Sequence, residues 1–207
     1  MRILLFLVLA MLQLPLFAQS ADEANAVLDR ALAALKADAP VCMDYTYRVV
    51  DEDGELLQDD KGVIYVDGGR YALLMQDMKV WCDGKVQWSY MREVNEVYVT
   101  DAASDEAQSL SPVFIMEHYR AGRAVSLVYK GDVAVVELRS LTDVAAEVVK
   151  LHIRKGDNRL VAMSIDMPGQ GGVEVLLDGY TAKCGAGGDV FVCPLDEFST
   201  AEVIDMR

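Results

Sequence analysis

Most of this chain alternates between apolar and polar residues with a period of two. Three runs show the alternation most clearly, at 86–90, 149–153 and 161–167. Successive side chains of a strand point to opposite faces, so each run predicts an antiparallel strand with one buried face. Seven less regular runs complete the series, at 43–50, 62–67, 70–77, 94–100, 124–129, 133–138 and 173–182. The sequence therefore predicts about ten strands.

Strands this numerous with one apolar face must curl around that face, as a barrel or a half-barrel. Two helices are available to fill or cover it. The first is predicted to begin at the capping box Ser20–Glu23 and to end before Pro40. Its apolar stripe consists of Ala24, Val27, Leu28, Ala31, Leu32 and Leu35.

The second helix is predicted from Ser111 as its cap, Pro112 at its first position and Gly122 as its terminator. Its content, Val113 to Met116, is strongly apolar. The chain shows no strand-helix-strand rhythm, which argues against a nucleotide-binding sheet.

Residues 1–18 contain one basic residue, an apolar run and a small residue, Ala18, at their end. This pattern predicts a secretory signal peptide cleaved after Ala18, leaving a single domain over 19–207. The alternative is an uncleaved anchor, but the apolar run is shorter than the roughly 20 residues of a spanning helix. We therefore expect an exported protein.

The charge balance disfavours two classes of partner. The chain has 33 Asp and Glu residues against 19 Lys and Arg residues, a net charge of -14. An acidic surface repels phosphate, so we expect binding neither to nucleic acid nor to anionic lipid surfaces.

Four cysteines in an exported protein suggest disulfides: Cys42, Cys82, Cys184 and Cys193. The last two flank a glycine-rich turn, so we expect them to pair and leave Cys42 to pair with Cys82. The two other connectivities, and four buried thiols, stay open.

Catalytic and metal-binding patterns are weak in this sequence. His118 and His152 have no neighbouring motif, and Ser126 and Ser164 lack a Gly-x-Ser-x-Gly elbow. The run at 51–54 places its glycine two positions too early for a calcium loop, so it predicts a solvated hairpin turn. We expect no enzyme activity, no cofactor and no metal.

The order of several motifs resembles the LolA family of periplasmic outer-membrane lipoprotein carriers, over essentially all of 19–207. The motifs are Lys61-Gly62-x-Ile64-x-Val66, Arg70-Tyr71, Cys82-Asp83-Gly84-Lys85-Val86-x-Trp88-x-Tyr90, Ser111-Pro112-x-Phe114-Ile115, Phe191-x-Cys193-Pro194-x-Asp196 and Glu202-Val203-Ile204-Asp205-Met206-Arg207. The Asp-Gly-x-x-x-Trp-x-Tyr hairpin is the most specific of them.

The resemblance implies a mainly β fold, an unclosed antiparallel half-barrel whose hydrophobic interior is covered by helices. It implies a monomeric periplasmic chaperone that carries acylated lipoproteins from an inner-membrane release complex to an outer-membrane acceptor. The lipid cavity would be lined by Leu73, Met75, Val86, Trp88, Tyr90, Leu151, Ile153, Met163, Ile165, Val175 and Leu177. The lid would consist of Val113, Phe114, Ile115 and Met116.

The chain departs from the family pattern at one turn. The family has a basic residue and a proline there, linked to opening of the lid, whereas this chain has Asp67-Gly68-Gly69. Three alternatives stay open: packed core in place of a cavity, a lipid or lipoprotein sensor that binds a membrane regulatory partner, and a carrier of another amphiphile.

Overall fold

The structure is a computed structural model that describes residues 15–104, 107, 112–118, 120–143 and 145–207. Most of the predicted signal peptide lies outside this part, so its cleavage stays a prediction. Ser111, the predicted cap of the second helix, also lies outside it. None of the helices in the described ranges combines the length and apolarity that crossing a bilayer requires.

Twelve strands form one sheet in the described part of the chain. Their bounds are β1 Val41–Val50, β2 Leu56–Asp67, β3 Arg70–Leu74, β4 Met78–Cys82, β5 Val86–Met91, β6 Glu96–Asp101, β7 Arg123–Lys130, β8 Val133–Ser140, β9 Val148–Arg154, β10 Leu160–Met167, β11 Gly171–Thr181 and β12 Glu202–Asp205. The helices are α1 (Pro15–Asp38) and α2 (Pro112–His118).

The strands follow the order β12-β6-β5-β4-β3-β2-β1-β11-β10-β9-β8-β7 across the sheet. All neighbours are antiparallel except β12, which runs parallel to β6. The edges β12 and β7 do not pair with each other, so the sheet stays open. This confirms the expected class, a mainly β fold with an unclosed sheet and few helices.

The sheet has twelve strands where the sequence predicts about ten. The run predicted at 70–77 contains only β3 and the turn after Leu74, and the first additional strand, β4, begins at Met78, outside every predicted run. Strand β4 lacks a polar face: Val80, Trp81 and Cys82 are all buried, so both of its sides are covered. Without alternation, the period-two pattern gives no signal there. The second additional strand, β12, is only four residues long.

Helix α1 lies against the inner face of the sheet, which we define as the face that contacts the helices. Its predicted apolar stripe is confirmed, since five of the six residues are buried and Leu32 is partly buried. The stripe packs with residues of β1 and β2 and with residues of β8 and β9. Because these strands reach α1 from opposite directions along the sheet, the sheet has to curl around the helix.

Helix α1 begins at Pro15, so the predicted start at Ser20 is wrong. Leu16, Ala18 and Gln19 have high helix propensities, and the helix runs through them ahead of Ser20. The solvated turn predicted at 51–54 is confirmed. The carboxylate of Asp51 accepts hydrogen bonds from the backbone N–H groups of Asp53 and Glu55, at 3.0 and 2.8 Å.

The residues after β11 cover part of the opposite, outer face of the sheet. Two short 3₁₀ helices, Gly188–Phe191 and Leu195–Phe198, bring apolar side chains there. The Phe198 ring contacts Tyr90 and Trp81, with ring centroids 4.4 and 5.5 Å apart. Strands β3 to β6 are therefore covered on the outer face as well as the inner one.

The expected disulfide pairing is wrong. Cys42 of β1 forms a disulfide with Cys184, in the segment after β11, while Cys82 and Cys193 are buried free thiols. Strand β1 pairs with β11, which brings Cys42 opposite Thr181 and close to the segment that follows. Cys193 instead packs against the outer face of the sheet, in the same cluster as Trp81.

We expect non-reducing peptide mapping to recover one cross-link, between Cys42 and Cys184. Burial raises the pKa of the Cys193 thiol to about 11, and nearby Glu197 contributes to the rise. Burial also raises the pKa of Cys82. Both thiols should therefore react with iodoacetamide only slowly at neutral pH until the protein is unfolded. A peptide linking Cys184 to Cys193 would contradict the structure.

Replacing the cross-linked pair, C42S together with C184S, should lower the free energy of unfolding. The disulfide closes a loop with a sequence separation of 142 residues. Loss of a long native cross-link typically costs about 2–5 kcal/mol. Denaturation in urea measures this loss, and an unchanged midpoint would show that the cross-link is not formed in solution.

Candidate functional site

A cavity of about 300 Å³ lies between the inner face of the sheet and the two helices. Helix α1 contributes two residues, α2 contributes two, and the rest come from the sheet and its turns. The described lining residues are Ala31, Leu35, Met43, Tyr45, Tyr47, Ile64, Leu73, Met75, Met78, Ile115, Met116, Leu151, Arg159, Leu160, Met163, Ile165, Val173, Val175, Leu177 and Tyr180. Five are methionines, whose flexible side chains adapt to ligands of irregular shape.

Seven of the eleven predicted cavity residues lie together around this space. They are Leu73, Met75, Leu151, Met163, Ile165, Val175 and Leu177. Cross-strand register places several of them side by side, since Met163 lies opposite both Leu151 and Val175. Their role in binding a ligand stays a prediction.

Three predicted cavity residues lie on the outer face, so their assignment to the cavity is wrong. Val86, Trp88 and Tyr90 pack with the segment after β11. The register of β4 and β5 explains this. Trp88 lies opposite Trp81, whose side chain packs on the outer face. On the inner face, Ser89 lies opposite Val80. The apolar residues of β5 therefore face outward.

The polar residues of β5 turn toward the inner face. Gln87 is buried there and accepts a hydrogen bond from the Tyr71 hydroxyl. Ile153, the fourth predicted residue outside the cavity, is buried in the core and borders a separate cleft with Val27 and Lys155.

The predicted lid residues lie on α2, which closes part of the cavity. Ile115 and Met116 line it, and Val113 is buried in the same core. The side chain of Phe114 lies outside the described part of the structure. The helix thus contributes to the cavity wall.

Ion pairs join α1 to α2 and to Arg120, which follows α2, at a place the sequence did not indicate. Lys36 of α1 pairs with Glu117 of α2, and Asp29 of α1 pairs with Arg120 at 2.9 Å. At the turn that departs from the family pattern, Arg70 pairs with Asp67, and its guanidinium lies 4.8 Å from the ring centre of Phe191. Arg70 therefore contacts the segment after β11.

One end of the cavity is polar, where α1 ends. Arg159 is the one charged residue among the described residues that line the cavity. Its guanidinium lies 4.0 Å from the ring centre of Tyr180, and its Nη2 donates to Asp38 Oδ2 at 3.2 Å. The Tyr180 hydroxyl donates to the same oxygen at 3.0 Å. Burial raises the pKa of Tyr180, and the hydrogen bond to Asp38 raises it further, so the hydroxyl keeps its proton.

Several lining residues were missed by the sequence reasoning. Met43, Tyr45 and Tyr47 alternate along β1, which is the signal that could have found them. Arg159 and Tyr180 lie near strand ends and join the cavity only through the packing of β10 and β11.

No cluster of three or more potential metal ligands occurs among the described residues. His152 lies on β9, where burial and the nearby Lys130 lower its pKa. The side chain of His118 lies outside the described part.

The chain matches the model of a protein family described as outer membrane lipoprotein carrier protein LolA, over residues 14–156. No curated protein sequence matches it. An uncharacterized conserved protein from Thermus thermophilus is similar in structure, with 13% identity, a TM-score of 0.56, and a match that covers 88% of this chain and 99% of that one.

Two further solved structures are similar to this chain. A chain of the Pseudomonas aeruginosa MucA/MucB complex has 16% identity and a TM-score of 0.51, and the match covers 84% of this chain and 62% of that one. A LolA superfamily protein from Nitrosomonas europaea has 10% identity and a TM-score of 0.46, covering 83% of this chain and 98% of that one.

We expect the cavity to bind a small apolar dye such as N-phenyl-1-naphthylamine, whose fluorescence rises in an apolar site. V175W should fill part of the cavity and weaken dye binding about tenfold, or about 1.4 kcal/mol. The control is E174W on the same strand, because Glu174 faces away from the cavity toward Arg48. Equal dye affinity in the two variants would show that the dye binds elsewhere.

Proposed function

This chain belongs to the family of outer membrane lipoprotein carrier proteins LolA, and we propose that it binds the acyl chains of lipoproteins in its cavity and carries them through the cell envelope. The observation that carries the proposal is the apolar cavity between sheet and helices. Exposure of an acyl chain to water costs about 0.8 kcal/mol per methylene, so transfer between membranes requires a protein that buries the chain.

The lining chemistry suits binding without catalysis. Nineteen of the 20 described lining residues are aliphatic, methionine or tyrosine, and Arg159 is the exception. Such walls exclude water and hold chains of variable shape without directional contacts. We therefore propose a binding protein, not an enzyme.

Opening of the cover would expose Val113, Ile115 and Met116 of α2, which are buried in the closed state, and would break two ion pairs. The pairs Lys36–Glu117 and Asp29–Arg120 lie at the surface, where an ion pair contributes only about 0–1 kcal/mol. The cavity of about 300 Å³ is at the lower limit of ligand sites, so a lipoprotein anchor with several chains requires α2 to move away. Reclosure over the empty cavity would rebury Ile115 and Met116 and favour release.

An exported location agrees with two further features. The Cys42–Cys184 disulfide is typical of oxidising compartments such as the periplasm. The net charge of -14 would keep an otherwise lipophilic carrier off anionic membrane surfaces between transfers. We propose that the protein acts there as a monomer between an inner-membrane release complex and an outer-membrane acceptor.

The test is release of lipoproteins from spheroplasts of the source organism. Purified protein should bring labelled lipoproteins into the supernatant as a soluble complex. I165E should abolish release, because it places a carboxylate in the apolar wall. The control is L57E, since Leu57 on β2 is 66% exposed and does not line the cavity.

Circular dichroism must show that both variants are folded. Absence of release by the unsubstituted protein would contradict the carrier role. Capture of a membrane regulatory protein by the same sample would then favour the sensor alternative, and a co-purified lipid identified by mass spectrometry would favour carriage of another amphiphile.

A further inference from the structure

The guanidinium of Arg159 is held in place at the polar end of the cavity. The Tyr180 ring packs against it at 4.0 Å, and the Asp38 carboxylate accepts one hydrogen bond from Nη2. The side chain is 29% exposed, so the group is partly shielded from water yet still accessible. Three elements, the ends of α1 and β11 and the start of β10, converge on this point.

Arg159 has hydrogen-bonding capacity that the described residues do not use. A guanidinium carries five N–H donors, and one side-chain donor is engaged, by Asp38. Asp157 also forms an ion pair with Arg159, but its Oδ2 lies 3.6 Å from Nε, beyond hydrogen-bond distance, and its Oδ1 accepts from the backbone N–H of Arg159 at 3.3 Å. Its two oxygens accept hydrogen bonds from the side chain of Arg154, at 3.0 and 2.7 Å.

A cation beside an apolar cavity complements a particular kind of molecule. Its polar end must be anionic, since arginine pairs with carboxylate and phosphate groups through parallel N–H donors. Its other end must be an alkyl chain, because the remaining lining residues are uncharged. The volume of about 300 Å³ suits one chain without displacement of α2.

We propose that this cavity also binds free single-chain amphiphiles with an anionic headgroup, such as fatty acids or alkyl phosphates, and that Arg159 binds the headgroup. The inference rests on the proposed use of the cavity for acyl chains and adds a ligand class and a specificity-determining residue. Asp38 keeps its hydrogen bond to the Tyr180 hydroxyl when the headgroup arrives, and the unused N–H groups of Arg159 donate to the ligand.

The test compares three twelve-carbon ligands by displacement of N-phenyl-1-naphthylamine: laurate, dodecyl phosphate and dodecanol. At pH 8, the two anions should bind about tenfold or more tightly than dodecanol, because a hydrogen bond to a charged group contributes about 1.5–3 kcal/mol. Inorganic phosphate at the same concentration should displace no dye, since the chain supplies most of the affinity.

R159Q should reduce the affinity for laurate and dodecyl phosphate to that of dodecanol and leave dodecanol unchanged. R159K should keep part of the preference, because it retains the charge without the planar donor group. The matched control is R139Q on β8, which removes an exposed arginine that does not line the cavity. It should keep the full preference for anions.

Two outcomes would overturn the inference while the proposed function stands: equal binding of all three ligands by the unsubstituted protein, and equal weakening of all three by R159Q. The second would show that Arg159 acts only by fixing the end of α1. Failure of every ligand, dodecanol included, to displace the dye would overturn the acyl-chain cavity itself, and with it the proposed function.

Discussion

The packing of α1 against the inner face of the sheet is the contact on which the rest of the structure depends. Its stripe, from Ala24 to Leu35, is buried among side chains of strands from both halves of the sheet. Strands from both halves of an open twelve-stranded sheet can contact this single helix only if the sheet curls around it. The contacts of Asp38 with Arg159 and Tyr180 then fix the end of the helix beside β10 and β11, and the Cys42–Cys184 disulfide joins β1 to the segment after β11.

The cavity exists because the helices do not fill the curved sheet. Helix α1 presents only Ala31 and Leu35 to the space, and the short α2 adds Ile115 and Met116. A tightly packed interior would have no room for a ligand, whereas this one leaves an apolar space closed by surface ion pairs. The apolar side chains of α2 belong to the same buried core as the stripe of α1.

The two faces of the sheet serve different purposes, and this division explains where the sequence reasoning failed. On β9, β10 and β11 one face is buried, so alternation correctly selected residues such as Leu151, Met163 and Val175. On β5 the segment after β11 covers the outer face, and the aromatic residues turn toward it. An apolar strand face indicates that it is buried, but it does not indicate whether the helices or the segment after β11 bury it.

The sequence by itself determined the elements whose signals are local. These are most of the strands, the stripe of α1 and the hairpin turn at 51–54, because side-chain periodicity and turn chemistry act over a few residues. Periodicity left open a barrel or a half-barrel and helices that fill or cover it, and the family resemblance favoured the unclosed half-barrel with covering helices. Only the tertiary structure decided the pairing of Cys42 with Cys184, the outward face of β5 and the polar end at Arg159. Each of these joins residues far apart in the chain, and their proximity depends on strand order and register, which no short stretch of sequence encodes.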